Sequence, residues 1–138
     1  MTRVLVPMDD SELAERALEF ALDRYPDSEI TVLHVVGEPS PMMGEIVSIA
    51  LEDDIAEAGR EESSEIFDRA REIATEHDTE IDTVVGYGSP AKDIVSRAEE
   101  FDTVVIGSHG GSLTDRLFVG NVARTVFRRS PVPVTTVR

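Results

Sequence analysis

The sequence has no cysteine, few basic residues and no apolar run of membrane-spanning length. Without cysteine, neither disulfide bonds nor thiol redox chemistry is available to the chain. No stretch approaches the ~20 apolar residues of a transmembrane helix, and the first residues lack the apolar core of a signal peptide, so we expect a cytoplasmic protein without a membrane partner. Only 13 basic residues stand against 28 acidic ones, a formal net charge of −15. Because a polyphosphate backbone selects a basic surface, no nucleic-acid partner is expected.

What is present is typical of one globular domain over residues 1–138, with 41% hydrophobic and 30% charged residues. A chain of this length buries roughly 68% of the surface that its unfolded form exposes, enough for a core without cross-links. Lys92 is the only lysine, and arginine supplies the other twelve basic residues. This bias has two interpretations, genomic drift or adaptation to molar salt, where a dense carboxylate surface stays hydrated. We favour the halophilic interpretation, and a thermal melt that is unchanged from low to molar KCl would exclude it.

The first half of the chain alternates strand and helix patterns. Val4 to Pro7 is a short apolar run, and apolar residues at helical spacing follow from Ser11. Residues 29–36 are β-branched and predict a second strand, residues 37–44 predict a mobile loop, and residues 46–77 predict a long charged helix with Gly59 as a weak point.

The second half repeats the alternation. Residues 81–85 predict a third strand, residues 86–88 a turn, and Ser89-Pro90 the start of a helix. Residues 103–106 predict a fourth strand, residues 107–119 a loop, residues 120–129 a helix, and the last strand runs from Val132 to Val137. Continuous apolar strands separated by helices favour an α/β fold, with an open parallel sheet covered by helices on both faces.

In such sheets ligands bind beyond the carboxyl ends of the strands. The segment after the fourth strand is the most unusual of these ends, because Gly107, Gly110 and Gly120 recur where a backbone could approach an anion closely. Free amides at the helix that begins at Gly120 could donate to phosphate oxygens. The alternative is that these glycines only make turns.

Several nucleotide-binding and phosphate-accepting classes are excluded. The chain contains no Gly-Lys-Ser/Thr of a Walker A loop and no Gly-x-Gly-x-x-Gly after the first strand. Asp9-Asp10 invites comparison with phosphorelay receivers, but those also need an aspartate after the third strand and a lysine after the fifth. Here Gly86 follows the third predicted strand.

The chain resembles the nucleotide-binding subgroup of the universal stress protein family over essentially all of its length. Five pieces carry the resemblance: residues 4–11, Leu33-His34-Val35, residues 86–91, Val105 to Gly110 and Gly120-Asn121-Val122-Ala123. The resemblance implies an adenine-nucleotide alpha-hydrolase-like fold, a five-stranded parallel sheet in the order 3-2-1-4-5, with the ligand between strands one and four.

The resemblance also implies a set of ATP-binding positions. Asp9 would accept hydrogen bonds from the ribose, Pro7 and Met8 would line the sugar, and the backbone of Val35 would meet the adenine. The remaining positions would flank the base and ribose or present amides to the phosphates: Ile106, Gly107, Gly110, Gly120, Asn121 and Val122. Mg²⁺ or Mn²⁺ could accompany the phosphates, while no protein metal ligand and no catalytic residue is assigned.

One position departs from the family pattern, because Asn121 stands where the family has serine or threonine. Asparagine keeps a side-chain donor but loses the small hydroxyl that could approach a metal. Alternatives stay open for other residues as well: Asp9 could be a turn residue, His34 a backbone-bonding residue, His109 an anion contact or a loop support, and His77 solvent-exposed.

These observations lead to two main hypotheses of function. The first is an ATP-binding stress-response sensor or switch with little or no hydrolysis, because no general base stands out and no lysine lies in the phosphate loop. The alternative is a dimeric interaction module that binds another adenine nucleotide or none. In both, the resemblance implies a homodimer through the edge strand from Val132 to Val137, and an unknown protein partner that reads its state.

Overall fold

The computed structural model of the chain describes residues 1–37, 45–109 and 120–138, and for residues 45–58 it describes the helix without its side chains. The predicted loops between these ranges, with Gly110, lie outside the described residues. Five strands and four helices are described, in the order β1 (Arg3–Pro7), α1 (Glu12–Arg24), β2 (Glu29–Val36), α2 (Glu45–Glu76), β3 (Asp82–Tyr87), α3 (Pro90–Ala98), β4 (Thr103–Gly107), α4 (Asn121–Arg129) and β5 (Val134–Val137).

The strands form one parallel sheet in the order β3-β2-β1-β4-β5, which confirms the predicted fold class and strand order. Side chains of the central strands alternate between two hydrophobic clusters, because successive residues of a strand point to opposite faces. Val4, Val6 and Val32 pack with residues of α1 and α2 on one face. Leu5 and Leu33 pack with residues of α3 and α4 on the other. Helices therefore cover both faces, and the carboxyl ends of β1 and β4 lie side by side.

The third strand is longer than predicted. The expected turn over residues 86–88 is wrong for Gly86 and Tyr87, which continue the strand opposite Val35 and Val36 of β2. The chain turns only at Gly88, which has a φ of 99° that favours glycine. The backbone ladder with β2 therefore outweighs the turn tendency of the Gly-Tyr-Gly sequence.

The last strand is shorter than predicted, since β5 begins at Val134 and not at Val132. Ser130 Oγ donates to the Val132 carbonyl at 2.8 Å and accepts from its amide at 3.1 Å, so this part of the chain forms a turn. The Pro133 carbonyl then accepts from the Val104 amide at 3.0 Å. A local side-chain bond therefore holds the chain in a turn until the pairing with β4 begins.

Gly59 lies inside α2, and the helix is continuous through it, so the expected weak point does not break the element. A Cβ at this position would lie 2.9 Å from a methyl group of Val36. The glycine therefore allows α2 to pass close to the end of β2.

Candidate functional site

A pocket of about 680 Å³ lies at the carboxyl ends of β1, β2 and β4, beside the first residues of α1, α3 and α4. This is the position at which the sequence predicted a ligand, and the volume is within the range of small-molecule sites. Nine of the ten predicted site residues line it: Pro7, Met8, Asp9, Val35, Ile106, Gly107, Gly120, Asn121 and Val122. The tenth, Gly110, lies outside the described residues, and the ligand roles of all ten stay predictions.

At the end of β1, the chain turns into α1 through two side-chain hydrogen bonds. Asp9 Oδ1 accepts from the Ser11 amide at 2.9 Å, and Ser11 Oγ accepts from the Ala14 amide at 3.2 Å as the N-cap of α1. One carboxylate oxygen of Asp9 therefore fixes the turn, as the alternative interpretation expected, while the residue also borders the pocket. The two roles are compatible because a carboxylate has two oxygens, each with acceptor capacity.

At the end of β2, His34 is 6% exposed and its Nδ1 lies 2.8 Å from the Met8 carbonyl oxygen. Because a carbonyl only accepts, Nδ1 carries the proton and His34 ties the ends of β1 and β2 together, as predicted for a backbone-bonding residue. Val35 follows it in the pocket wall. The histidine therefore holds the strand ends that border the pocket at a fixed distance.

At the end of β4, two glycines allow close packing. A Cβ on Gly107 would lie 3.0 Å from the Leu13 backbone carbon of α1, and a Cβ on Gly120 would lie 2.9 Å from the Cβ of His109. The Gly120 amide donates to the Ser108 carbonyl at 2.6 Å. The start of α4 is thus pressed against the end of β4, and no larger residue fits at either position without displacement of its neighbours.

The N-terminus of α4 forms one wall of the pocket. Its N-cap, Gly120, provides no side-chain hydrogen bond, and the first backbone bond of the helix runs from the Arg124 amide to the Gly120 carbonyl. The amides that precede this bond, in Asn121, Val122 and Ala123, have no partner within the helix. They add to the positive end of the helix dipole beside the pocket, which favours an anion there.

His109, for which the sequence left an anion contact or a loop support open, also lines the pocket. It is 8% exposed, and neither ring nitrogen has a hydrogen-bond partner in the described part of the chain. Ser108, which precedes it, is 2% exposed and its Oγ is likewise unpartnered there. In the sequence, the position of Ser108 and His109 directly after an apolar strand is the signal that could have indicated this pocket wall.

The sequence also missed the contribution of α3 to the pocket. Pro90 and Ile94 lie one turn apart on this helix and both line the pocket. Their spacing of four residues predicted a shared helix face, but the packing of α3 beside the end of β2 is a tertiary feature that periodicity does not reveal.

A smaller hollow of about 130 Å³ shares Met8 and Asp9 with the main pocket and is bordered by acidic residues and Arg69. Arg69 Nε lies 2.6 Å from Glu15 Oε1, so the Glu15 carboxylate is already in an ion pair. Among the side chains that the structure describes, no three His, Asp or Glu residues converge as a metal-binding cluster. In the described ranges, no helix is both long enough and apolar enough to cross a membrane.

His77 lies far from the pocket and is not solvent-exposed as predicted. Its side chain is 27% exposed, with Nδ1 at 2.9 Å from the Ile73 carbonyl and Nε2 at 3.2 Å from Asp23 of α1. The hydrogen bond to Ile73, together with the negative charges of Asp23 and Glu19, raises the pKa of His77 above 6.5. The residue therefore pins the end of α2 to α1.

A family model described as the universal stress protein family matches residues 1–138, and the chain belongs to this family. The curated protein YxiE of Bacillus subtilis, a universal stress protein, is 29% identical over 145 residues, which cover 99% of this chain and 98% of that protein. The solved structure of UspA from Lactobacillus plantarum superposes with a TM-score of 0.80 at 25% identity, over 99% of this chain and 97% of the other.

Three further solved structures share the fold and contain adenine nucleotides. A universal stress protein in complex with cAMP is 24% identical, with a TM-score of 0.71 over 99% of this chain and 97% of that one. A family member from Arabidopsis thaliana with AMP bound is 16% identical, with a TM-score of 0.70 over 99% and 91%. The protein from Archaeoglobus fulgidus in complex with dAMP is 24% identical, with a TM-score of 0.66 over 100% and 98%.

Proposed function

We propose that this chain binds an adenine nucleotide in the main pocket and acts as a cytoplasmic stress-response sensor or switch. The observation that carries the proposal is the convergence of nine predicted site residues, from three separate strand ends and the start of α4, on one pocket. Residues so far apart in the chain meet only because the fold brings them together. Together they provide an apolar wall, a carboxylate and a helix N-terminus, which match the base, the ribose and the phosphates of a nucleotide. The adenine nucleotides in three proteins of the same fold support this ligand class.

The pocket walls suggest how the nucleotide lies. Val35 and Ile106 provide an apolar slot for the base, with the Val35 backbone available for its polar edge. Asp9 keeps carboxylate acceptor capacity for the ribose hydroxyls beyond its bond to Ser11. The amides of Asn121 and Val122, which have no partner within the helix, donate to phosphate oxygens. The ligand thus spans the floor of the pocket from β2 to α4.

Within this class we propose ATP as the ligand, with Mg²⁺ or Mn²⁺ carried mainly by the phosphates, as Mg²⁺ is in many nucleotide sites. Hydrolysis is slow or absent, since the described walls contain no lysine and no carboxylate other than Asp9, which the turn already engages. The protein then responds to nucleotide occupancy and not to turnover. This is the regime expected of a sensor or switch.

Asn121 favours a second candidate, a dimeric interaction module that holds a nucleotide with fewer phosphates or none. The residue is exposed at the start of α4 and lacks the small hydroxyl of the family pattern. Within the described residues β5 pairs only with β4, so its other edge is available for a second copy of the chain. Both candidates include a homodimer through this edge and a further protein partner.

The test is to identify any nucleotide released from the protein purified in molar KCl and to record thermal melts with ATP, ADP or AMP. Ligand at 100 times Kd adds about 2.7 kcal/mol of stability, which is a visible shift. Gly120→Val should remove the shift, since a side chain there displaces His109 and the start of α4. Gly37→Val is the matched control, because a Cβ at Gly37 meets no atom of the described residues within 4 Å.

The outcomes separate the candidates. A shift with ATP that survives in the Gly37 variant and vanishes in the Gly120 variant supports the ATP switch. A shift with AMP alone supports the second candidate. No nucleotide in the purified protein and no shift at any salt concentration would contradict nucleotide binding altogether.

A further inference from the structure

The charge of the chain is distributed unevenly along it. All 28 acidic residues lie at Asp115 or earlier, and the segment of residues 120–138 contains four arginines and no acidic residue. This segment comprises α4 and β5. In a chain of net charge −15, residues 120–138 thus form a basic structural unit. The helix dipole favours arginine in the last turn of α4, but this explains only two of the four, Arg128 and Arg129.

The arginines of this unit differ from most of the others in their partners. In residues 1–37 and 59–109, five of the seven arginines form ion pairs with carboxylates: Arg3, Arg16, Arg69, Arg71 and Arg97. Of the other two, Arg24 lies over the Phe20 ring at 5.3 Å, and Arg60 forms no ion pair with a described residue. Among the described residues, Arg124, Arg128, Arg129 and Arg138 form none. All four are exposed on a molecule that otherwise has carboxylates in excess, and within the described residues their charges take part in no ion pair.

An exposed aromatic ring lies among these charges. Phe127 is 66% exposed on α4, three residues after Arg124 and directly before Arg128, so the three side chains share one side of the helix. The buried residues of α4, Ala123 and Val126, face the core. Exposed arginines around an aromatic residue have the composition of protein–protein hot spots.

We propose that the outer face of α4, defined by Arg124, Phe127 and Arg128, is the docking surface for an acidic segment of another protein. Charge complementarity selects the acidic partner, and Phe127 selects one that also offers an apolar contact. A long polyanion such as a nucleic acid fits less well, because beyond this face it would meet the 28 carboxylates of the body. A second copy of the chain docked on this face fits less well too, since a twofold contact would place the basic face against itself. The proposed homodimer instead uses the outer edge of β5. This surface is separate from the nucleotide pocket.

The experiment uses a fluorescent peptide composed of glutamate and leucine, with a second peptide in which serine replaces leucine. Binding to the full chain is followed by anisotropy over a range of KCl concentrations at which circular dichroism shows the fold intact. We expect the Glu/Leu peptide to bind more tightly than the Glu/Ser peptide. Arg124→Glu with Arg128→Glu should lower its affinity at least tenfold, and Phe127→Ser should lower it without changing the slope against salt.

Matched controls separate the surface from net charge and from lost apolar area. Arg16→Glu with Arg60→Glu makes the same charge change on α1 and α2, and both residues are exposed. Tyr87→Ser removes an aromatic ring that is 68% exposed on β3. Neither should change peptide affinity. If charge reversal on α4 lowers stability, Arg124→Gln with Arg128→Gln tests the same surface with a smaller change.

Four results would overturn the proposal: no peptide binding, an equal loss in the two double variants, tighter binding to duplex DNA that charge reversal on α4 abolishes, or self-association of the unmodified chain that the same variant abolishes. The third would assign the face to nucleic acid and the fourth to a second copy.

Discussion

Helices α1 and α4 both begin beside the pocket, but their first turns are satisfied in different ways. At α1, Asp9 accepts from the amide of the N-cap residue Ser11, and Ser11 Oγ accepts from the Ala14 amide of the first turn. At α4, the N-cap is Gly120, which has no side chain to provide such a bond. The comparison indicates that a side-chain cap stabilises the start of α1, whereas the first amides of α4 lack a partner within the helix and would be donors for the proposed nucleotide.

The largest expected effect lies in the core beneath α1. Leu18 is completely buried in the cluster between the sheet and α1, so Leu18→Ala should lower the free energy of unfolding by about 2–5 kcal/mol. Thermal or denaturant melts in molar KCl measure this loss. Nucleotide affinity at salt concentrations that keep the variant folded should be unchanged. A variant with normal stability and weakened nucleotide binding would reverse the assignment of roles to the two helices.

Asp9 belongs to both sides of the comparison, because it holds the turn into α1 and borders the pocket. Asp9→Asn keeps an oxygen acceptor for the Ser11 amide but loses the charge, so it should keep stability and raise the nucleotide Kd about tenfold. Asp9→Ala should weaken binding and also lower stability by about 1 kcal/mol. Titration calorimetry and melts on both variants separate the two roles, and unchanged affinity in both would remove Asp9 from the ribose site.

The capping difference can be measured directly. Ser11→Ala removes the side-chain acceptor of the Ala14 amide and should lower the free energy of unfolding by about 1 kcal/mol. Ser89 is the matched control, since it precedes α3 as N-cap but makes no side-chain capping bond. Ser89→Ala should therefore change stability by less than about 0.5 kcal/mol. Equal losses in the two variants would mean that the Ser11 bond does not stabilise α1.

The smallest expected effect is at the other end of α1, where His77 contacts Asp23. Because the folded-state pKa of His77 is raised above 6.5, its protonated form stabilises the fold below that pH, and this contribution is lost as the pH rises through the folded-state pKa. The Tm difference between the unmodified chain and His77→Gln should thus be larger between about pH 5 and 6, where Asp23 is still ionised, than well above neutrality. A difference that is constant with pH would contradict the role of the charge.

The sequence was sufficient for most of the fold because its signals were local. Continuous apolar or β-branched runs and helical spacing located every described element, and the family resemblance supplied the strand order that the structure confirms. The errors occurred where a local tendency competed with pairing or packing. Gly86 and Tyr87 were predicted as a turn, but they pair with β2 and extend β3. Gly59 was predicted as a weak point of α2, but it allows the helix to approach Val36 closely.

The candidate site was predictable only in part, for a similar reason. Strand-end positions such as Asp9 and Gly107 follow from the rule that ligands bind at the carboxyl edge of a parallel sheet. Pro90 and Ile94 join the wall through the packing of α3, and the burial of the His109 ring without a partner among the described residues depends on its three-dimensional surroundings. No local pattern in the amino-acid sequence encodes either feature. The excess of arginine in residues 120–138 is visible in the sequence, but only the structure shows that these arginines form no ion pair with a described residue.

The backbone of Ser108 links the last strand to the start of α4. Its amide donates to the Val137 carbonyl at 2.7 Å, and its carbonyl accepts from the Gly120 amide at 2.6 Å. The C-terminal strand is therefore clamped, through one residue, to the same backbone that starts α4. Removal of the last two residues would take away the acceptor for the Ser108 amide. Hydrogen exchange should then become faster at Gly120 as well as along β4. The pocket wall at the start of α4 therefore depends on the C-terminal strand.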